Sequence, residues 1–154
     1  MSSQRPLTSK AAIGVLGFVG ATAVAGGFEM LAFPDGNVFV KHEWLGDLPV
    51  ADYRLPGLIL GVGLGGGSLV AAFGLMRRPR WGWIRGVERI TGRHWSWAAT
   101  ATMGAALGGW ILLEIALIPE RSAIEALYGV LAAGLLAVCA TRSFRTSLAI
   151  APAP

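Results

Sequence analysis

Residues Gly57–Met76 read "GLILGVGLGGGSLVAAFGLM", a run of 20 residues without one charge. A helix needs about 20 mainly apolar residues to cross the hydrocarbon core of a bilayer. This run meets that length and then stops at Arg77-Arg78-Pro79-Arg80. Three further runs match it, at about 11–33, 95–118 and 122–140. The first stops at the turn signal Pro34-Asp35-Gly36, the third at Pro119 and the fourth at Arg142. In lipid every backbone N–H and C=O must find its partner within its own segment, so each run is read as a helix. The expected fold is an all-α membrane protein: one domain over 1–154, a bundle of four transmembrane helices, an outer loop at 34–56 and an inner loop at 77–94.

Composition agrees. The chain is 54% hydrophobic and 14% charged, with a mean hydropathy of +0.58, whereas soluble domains carry about 25% charged residues. So few charges could not cover a water-facing surface. The single cysteine, Cys139, lies inside an apolar run, which excludes an internal disulfide and a Cys-x-x-Cys pair and makes it a packing residue. His42 and His94 lie outside the runs, so no bis-histidine haem is expected, nor any other cofactor or metal. Span one has a rival reading. Arg5 and Lys10 precede it, and Ala21-Thr22-Ala23 and Ala23-Val24-Ala25 resemble signal-peptidase sites. The apolar run continues to Phe33, long for a signal peptide, so the span is read as retained.

The basic residues set an orientation. Arg5, Lys10, Arg77, Arg78, Arg80, Arg85, Arg89, Arg93, Arg142 and Arg145 fall on one side, with Glu88 as its only acid. Lys41, Arg54, Arg121 and the other eight acids fall on the other. Lys/Arg-rich loops stay cytoplasmic, so both termini are expected inside, in a bacterial plasma membrane. The net charge of +4 then reports topology; nucleic acid is not an expected partner.

Membrane helices associate through small residues that let backbones approach. Gly57, Gly61 and Gly65 lie four apart on one face of span two. They are read as packing within the bundle, with a homo-oligomer or a membrane-protein partner as the alternative. The glycine-rich "GVGLGGGS" lacks the Lys-Ser/Thr of a phosphate loop. The inner loop places Trp83, Ile84, Val87 and Ile90 on one side at helical spacing, with Arg85, Arg89 and Arg93 on another. That pattern describes a short interfacial amphipathic helix. Its arginines, with Arg77, Arg78 and Arg80, are expected to meet anionic lipids of the inner leaflet, by fixing topology or by holding a headgroup.

The outer loop is too apolar for a free linker (Val38, Phe39, Val40, Trp44, Leu45, Leu48) and is expected to fold over the bundle mouth. Below it, three acids share one depth. Glu29 and Glu114 each lie four residues before their span ends, about 6 Å down at 1.5 Å per residue. Glu125 lies at the same level in span four. Arg54 and Arg121 are the expected partners, and Arg121 and Glu125 are spaced to meet on one helix face. An ionisable residue in a membrane helix is costly and faces the bundle interior or water. A closed Glu/Arg network would be structural; a cavity reaching Glu29 or Glu114, with one carboxylate unpaired, would be a ligand, ion or proton site. No loop for calcium is present.

The order "PDG…EWLGDLPVADYRLPGLILGVGLGGGSLVAA…RR…GWILLEIALI" resembles a group of small, uncharacterised four-span bacterial membrane proteins of the high-GC, actinobacterial type. The matching positions are Pro34 and Gly36; Asp52, Tyr53, Pro56 and Gly57; and Trp110 and Glu114. The resemblance covers most of the chain and implies the four-span topology, with no activity. Small multidrug-resistance transporters are similar in span number, but have tighter loops and a deeper glutamate than Glu29. The expected function is a non-enzymatic accessory or structural membrane component. The alternative is a small proton- or ion-coupled transporter using Glu29 and Glu114. An enzyme acting on lipid headgroups has least support, because no nucleophile–base set is in the sequence.

Overall fold

The computed structural model describes residues 5–37, 40–46, 48–118 and 120–150. Val38, Phe39 and Pro119, named above, lie outside them. Among the described residues four helices are long and apolar enough to cross a membrane: Leu7–Ala32, Arg54–Arg77, Trp95–Leu117 and Ala123–Ala140. The first is α1. The second is composite: α2 (Arg54–Leu58), a π-helical segment (Ile59–Gly66) and α3 (Gly67–Arg77). A 3-10 turn at Gly82–Ile84 leads into α4 (Arg85–Thr91). The third and fourth long helices are α5 and α6, and a short α7 (Arg142–Ser147) follows.

Local chemistry sets the ends. The Ser122 hydroxyl accepts from the Glu125 amide at 3.4 Å, and Thr141 Oγ1 accepts from the Phe144 amide at 3.3 Å, capping α6 and α7. Arg78 (φ 49°) and Gly92 (φ 64°) take left-handed conformations that stop α3 and α4. α1 begins four residues before the expected 11, because the Pro6 carbonyl accepts from the Ser9 and Lys10 amides and opens the first turn there. The π segment and α7 were not foreseen. The first spans a stretch where Gly61, Gly63, Gly65 and Gly66 offer no side chains to hold α register. The second follows a Thr cap that the sequence reading passed over.

Glycine brings α1 against the composite helix. A Cβ on Gly27 would meet Gly61 Cα at 2.4 Å and the Gly57 carbonyl at 2.6 Å; one on Gly65 would meet the Val24 amide nitrogen at 2.8 Å. The Gly57/Gly61/Gly65 face therefore lies on α1 of the same chain. α3 packs on α5, with Gly74 under Trp95 and Ser96 and Gly67 under Met103. Gly104 seats Leu135 and Leu136 of α6. Two cores result. One joins Leu16, Ala71, Leu75, Leu135 and Cys139 with Phe144 and Leu148 from the C-terminal segment. The other joins Val19, Ala23, Leu64, Leu107 and Ala132. The described residues of 33–53 and 118–122 sit at one end of the bundle, hereafter the acidic end. Residues 5–6, 78–94 and 141–150 sit at the other, the basic end.

Candidate functional site

At the acidic end the loop after α1 folds back on the helix tops. Gly36 turns with φ 97°, and a Cβ there would lie 2.6 Å from the Val40 carbonyl, so this turn needs glycine. The Asn37 amide donates to Val40 O at 2.7 Å, and the Val40 amide donates back to Asn37 Oδ1 at 3.0 Å. Tyr53 is buried; its amide donates to Pro34 O at 2.9 Å and its hydroxyl to Lys41 O at 2.7 Å. Lys41 Nζ reaches both carboxylate oxygens of Glu120 at 2.8 Å, tying the loop to the α5–α6 connection.

The three carboxylates do not form one cluster, and the expected Glu/Arg network is absent among the described residues. Glu29 accepts from Asn37 Nδ2 at 2.7 Å. Glu114 accepts from Trp110 Nε1, one helical turn away, at 2.8 Å. Arg54 pairs with Asp52 in its own loop at 3.1 Å. Arg121 donates to the Ile118 carbonyl and, at 2.7 Å, to Ile115 O. It thus answers the free carbonyls and negative dipole end of α5. Since α6 begins only at Ala123, Arg121 lies off the helix on which an i,i+4 contact with Glu125 would form. No described side chain pairs with the Glu125 carboxylate.

Glu114 and Glu125 instead share a cavity of about 410 Å³. Leu55, Pro56 and Ile59 form one wall; Trp110, Leu113, Glu114 and Leu117 of α5 form the other; Ile124 and Glu125 close the side. Trp44, Leu48 and Tyr53 of the folded loop form the roof. The cavity exists because the composite helix and α5 pack closely along α3 and barely touch along the π segment. Leu55, Ile59, Leu113 and Ile124 are both lining and exposed, so the mouth is apolar. Glu29 and Arg54 are not among the lining residues; Glu120, tied to Lys41, and Arg121, whose guanidinium is engaged by backbone carbonyls, are. Trp44 Nε1 is a buried donor without an acceptor among the described residues.

The loop clasp is expected to open at alkaline pH. The hydrogen bond it donates to Glu120 holds the Lys41 ammonium above its ordinary pKa. A raised pKa means the tie is fully present at neutral pH and is lost as pH rises through the raised value. Burial also pushes the Tyr53 phenol up, which favours its neutral form as the solution turns alkaline. Lys41 Nζ lies 5.7 Å over the Trp44 ring, so Trp44 fluorescence, taken as wild type minus Trp44→Phe, should change in that window. A transition that persists in Lys41→Met would assign it to another group.

The basic end carries the predicted interfacial residues. Trp83 and Ile90 are exposed, as are Arg77, Arg78, Arg80, Arg85 and Arg89; Arg93 is half-buried. The sequence reading missed a polar knot here. Glu88 accepts from the Trp95 amide at 3.3 Å, and Trp95 Nε1 donates to Pro79 O at 2.9 Å. His94 Nε2 donates to Pro79 O at 3.1 Å while Nδ1 accepts from the Ser96 amide at 3.3 Å. These bonds assign a neutral Nε2–H imidazole that caps α5. The adjacent "RHWS" was its only sequence signal. Among the described residues no group of three His, Cys, Asp or Glu is placed to hold a metal.

Set against protein-family models, curated proteins and solved structures, the chain matches nothing.

Proposed function

We propose that this is a non-enzymatic, multi-pass plasma-membrane protein that binds an amphiphilic cation in its acidic-end cavity, with that end facing outward. The observation that carries the reading is the cavity itself: three glutamates inside an apolar wall, of which Glu120 is held by Lys41, Glu114 by Trp110, and Glu125 by no side chain among the described residues. Its aromatic lining supports the same ligand class. Trp44, Tyr53 and Trp110 beside carboxylates offer the ring faces and negative charge that an ammonium group prefers. A volume of about 410 Å³ suits a small ligand or one headgroup. The apolar mouth would admit an acyl chain from the bilayer.

Transport of the ligand is the second reading, and it rests on the same cavity. It requires a second opening toward the basic end. Leu75, Trp95 and Phe144 are buried there and close that half of the bundle, which favours binding without passage.

The test is binding of dodecyltrimethylammonium to the purified protein in maltoside micelles. Glu114→Gln and Glu125→Gln together should weaken it about tenfold or more, the scale of losing charge-assisted contacts. Glu29→Gln should change it little, because Glu29 lies outside the cavity. Equal affinity in wild type and the double variant would refute the reading. Uptake of the same probe into proteoliposomes, abolished by Glu114→Gln, would move the assignment to transport.

A further inference from the structure

At the basic end the C-terminal segment pairs with the residues before α5. The His94 amide donates to Leu148 O at 2.8 Å, the Ile150 amide donates to Gly92 O at 3.1 Å, and Arg93 bridges Ala149. This pairing sets Arg93 beside α7. On α7, Arg142, Arg145 and Thr146 are three and four residues apart and share a face. The three arginines and Thr146 surround a recess of about 350 Å³.

The charge in this recess is unanswered among the described residues. Arg93 is held by its own Nη1 bond to Thr91 O at 3.1 Å and by stacking 4.7 Å over the Trp97 ring. That leaves most of its N–H donors free. The guanidinium groups of Arg142 and Arg145 have no hydrogen-bond or ion-pair partner among the described residues. Among the described residues no acid lines the recess. Glu88 is the acid of this end, and its carboxylate accepts from the Trp95 amide, away from the recess lining. Three like charges around one hollow repel one another. An oxyanion removes that repulsion and accepts from several planar forks at once, the geometry in which arginine exceeds lysine.

We propose that Arg93, Arg142 and Arg145 form a discrete binding site for a phosphate group. The group would come either from a phospholipid headgroup in the leaflet at the basic end or from free phosphate. The site is independent of the acidic-end cavity. It also differs from diffuse attraction between interfacial arginines and a charged leaflet, because three side chains from two segments converge on one hollow.

The experiment uses the whole chain in maltoside micelles free of phospholipid, with two probes. Inorganic phosphate is titrated against thermal stability, and phosphatidic acid is titrated by native mass spectrometry. At least one probe should bind the wild type. The paired change Arg142→Gln and Arg145→Gln should weaken that probe about tenfold. Lys10→Gln, which removes an exposed charge from the same end, should shift it less than about twofold, as expected for screened surface charge. Both glutamine positions are exposed and unpartnered, so the variant should melt like wild type without ligand. Arg142→Lys with Arg145→Lys keeps the charge and loses the fork, and should fall between. Stabilisation by inorganic phosphate identifies a free anion; retention of phosphatidic acid alone identifies a headgroup. Binding of neither probe, or equal weakening by Lys10→Gln and the glutamine pair, would overturn the site.

Discussion

Gly27→Ala is expected to disrupt the bundle more than any other single-methyl change. Its Cβ would fall 2.4 Å from Gly61 Cα, 2.5 Å from Gly61 N and 2.6 Å from Gly57 O. All three are backbone atoms, so no rotamer can yield, and α1 must move off the composite helix. Overpacking commonly costs about 1–3 kcal/mol, and a backbone–backbone clash belongs at the upper end of that range or beyond. The reciprocal change, Gly61→Ala, meets nothing nearer than Gly27 Cα at 3.3 Å and should cost less. Gly63→Ala and Gly66→Ala meet nothing within 4 Å, and should be neutral or slightly stabilising, since glycine inside a helix is the weaker former. Thermal unfolding of the four variants in one detergent gives the ranking. If Gly27→Ala melted with Gly63→Ala, the close approach of the two helices would be refuted.

The second large effect is Phe144→Ala. Phe144 is fully buried, yet it comes from a six-residue helix beyond the last long one. It fills a core shared with Ala12, Leu16, Ala71 and Leu75. Removing a buried phenylalanine ring costs about 3–5 kcal/mol, so the variant should lose thermal stability and release α7. Limited proteolysis near 141–150 reports that release. Phe144→Leu, which refills part of the volume, should recover much of the loss. An unchanged melting curve and unchanged protease resistance in Phe144→Ala would mean that α7 is not docked. Because Arg142 and Arg145 ride on α7, Phe144→Ala should also disperse the arginine recess.

The four long helices were readable because each is an apolar run bounded by charge, proline or a turn, and the observed ends fall within a few residues of those marks. That Glu29, Glu114 and Glu125 lie near the ends of their helices was readable by the same counting. Their partners were not. Asn37 meets Glu29 only because the Gly36 turn swings the loop back, and Trp110 takes Glu114 because indole and carboxylate stand one helical turn apart. Arg121 turned to α5 because the free carbonyls of that helix end lie closer than the face of α6. Helix-face spacing identified Gly57, Gly61 and Gly65 but missed Gly27, whose role depends on how two helices cross. The π segment left no periodic signal, since glycines write no hydrophobic pattern. The cavity is tertiary in origin: it is the gap left where the composite helix and α5 diverge.

The docking of α7 also bears on the order in which the protein can be made. Ser9 and Ser147 lie 138 positions apart and their hydroxyls meet at 3.5 Å, beside the core that Phe144 completes. A chain emerging from a ribosome delivers α1 to the bilayer long before that residue exists. Until then Ala12 and Leu16 have lipid, or a chaperoning insertase, where their last neighbour will be. Vectorial synthesis can therefore place the four long helices one at a time but cannot close the basic end. The clasp around Phe144 becomes a post-insertion event, and a nascent chain stopped before it would present an unfinished core to membrane quality control.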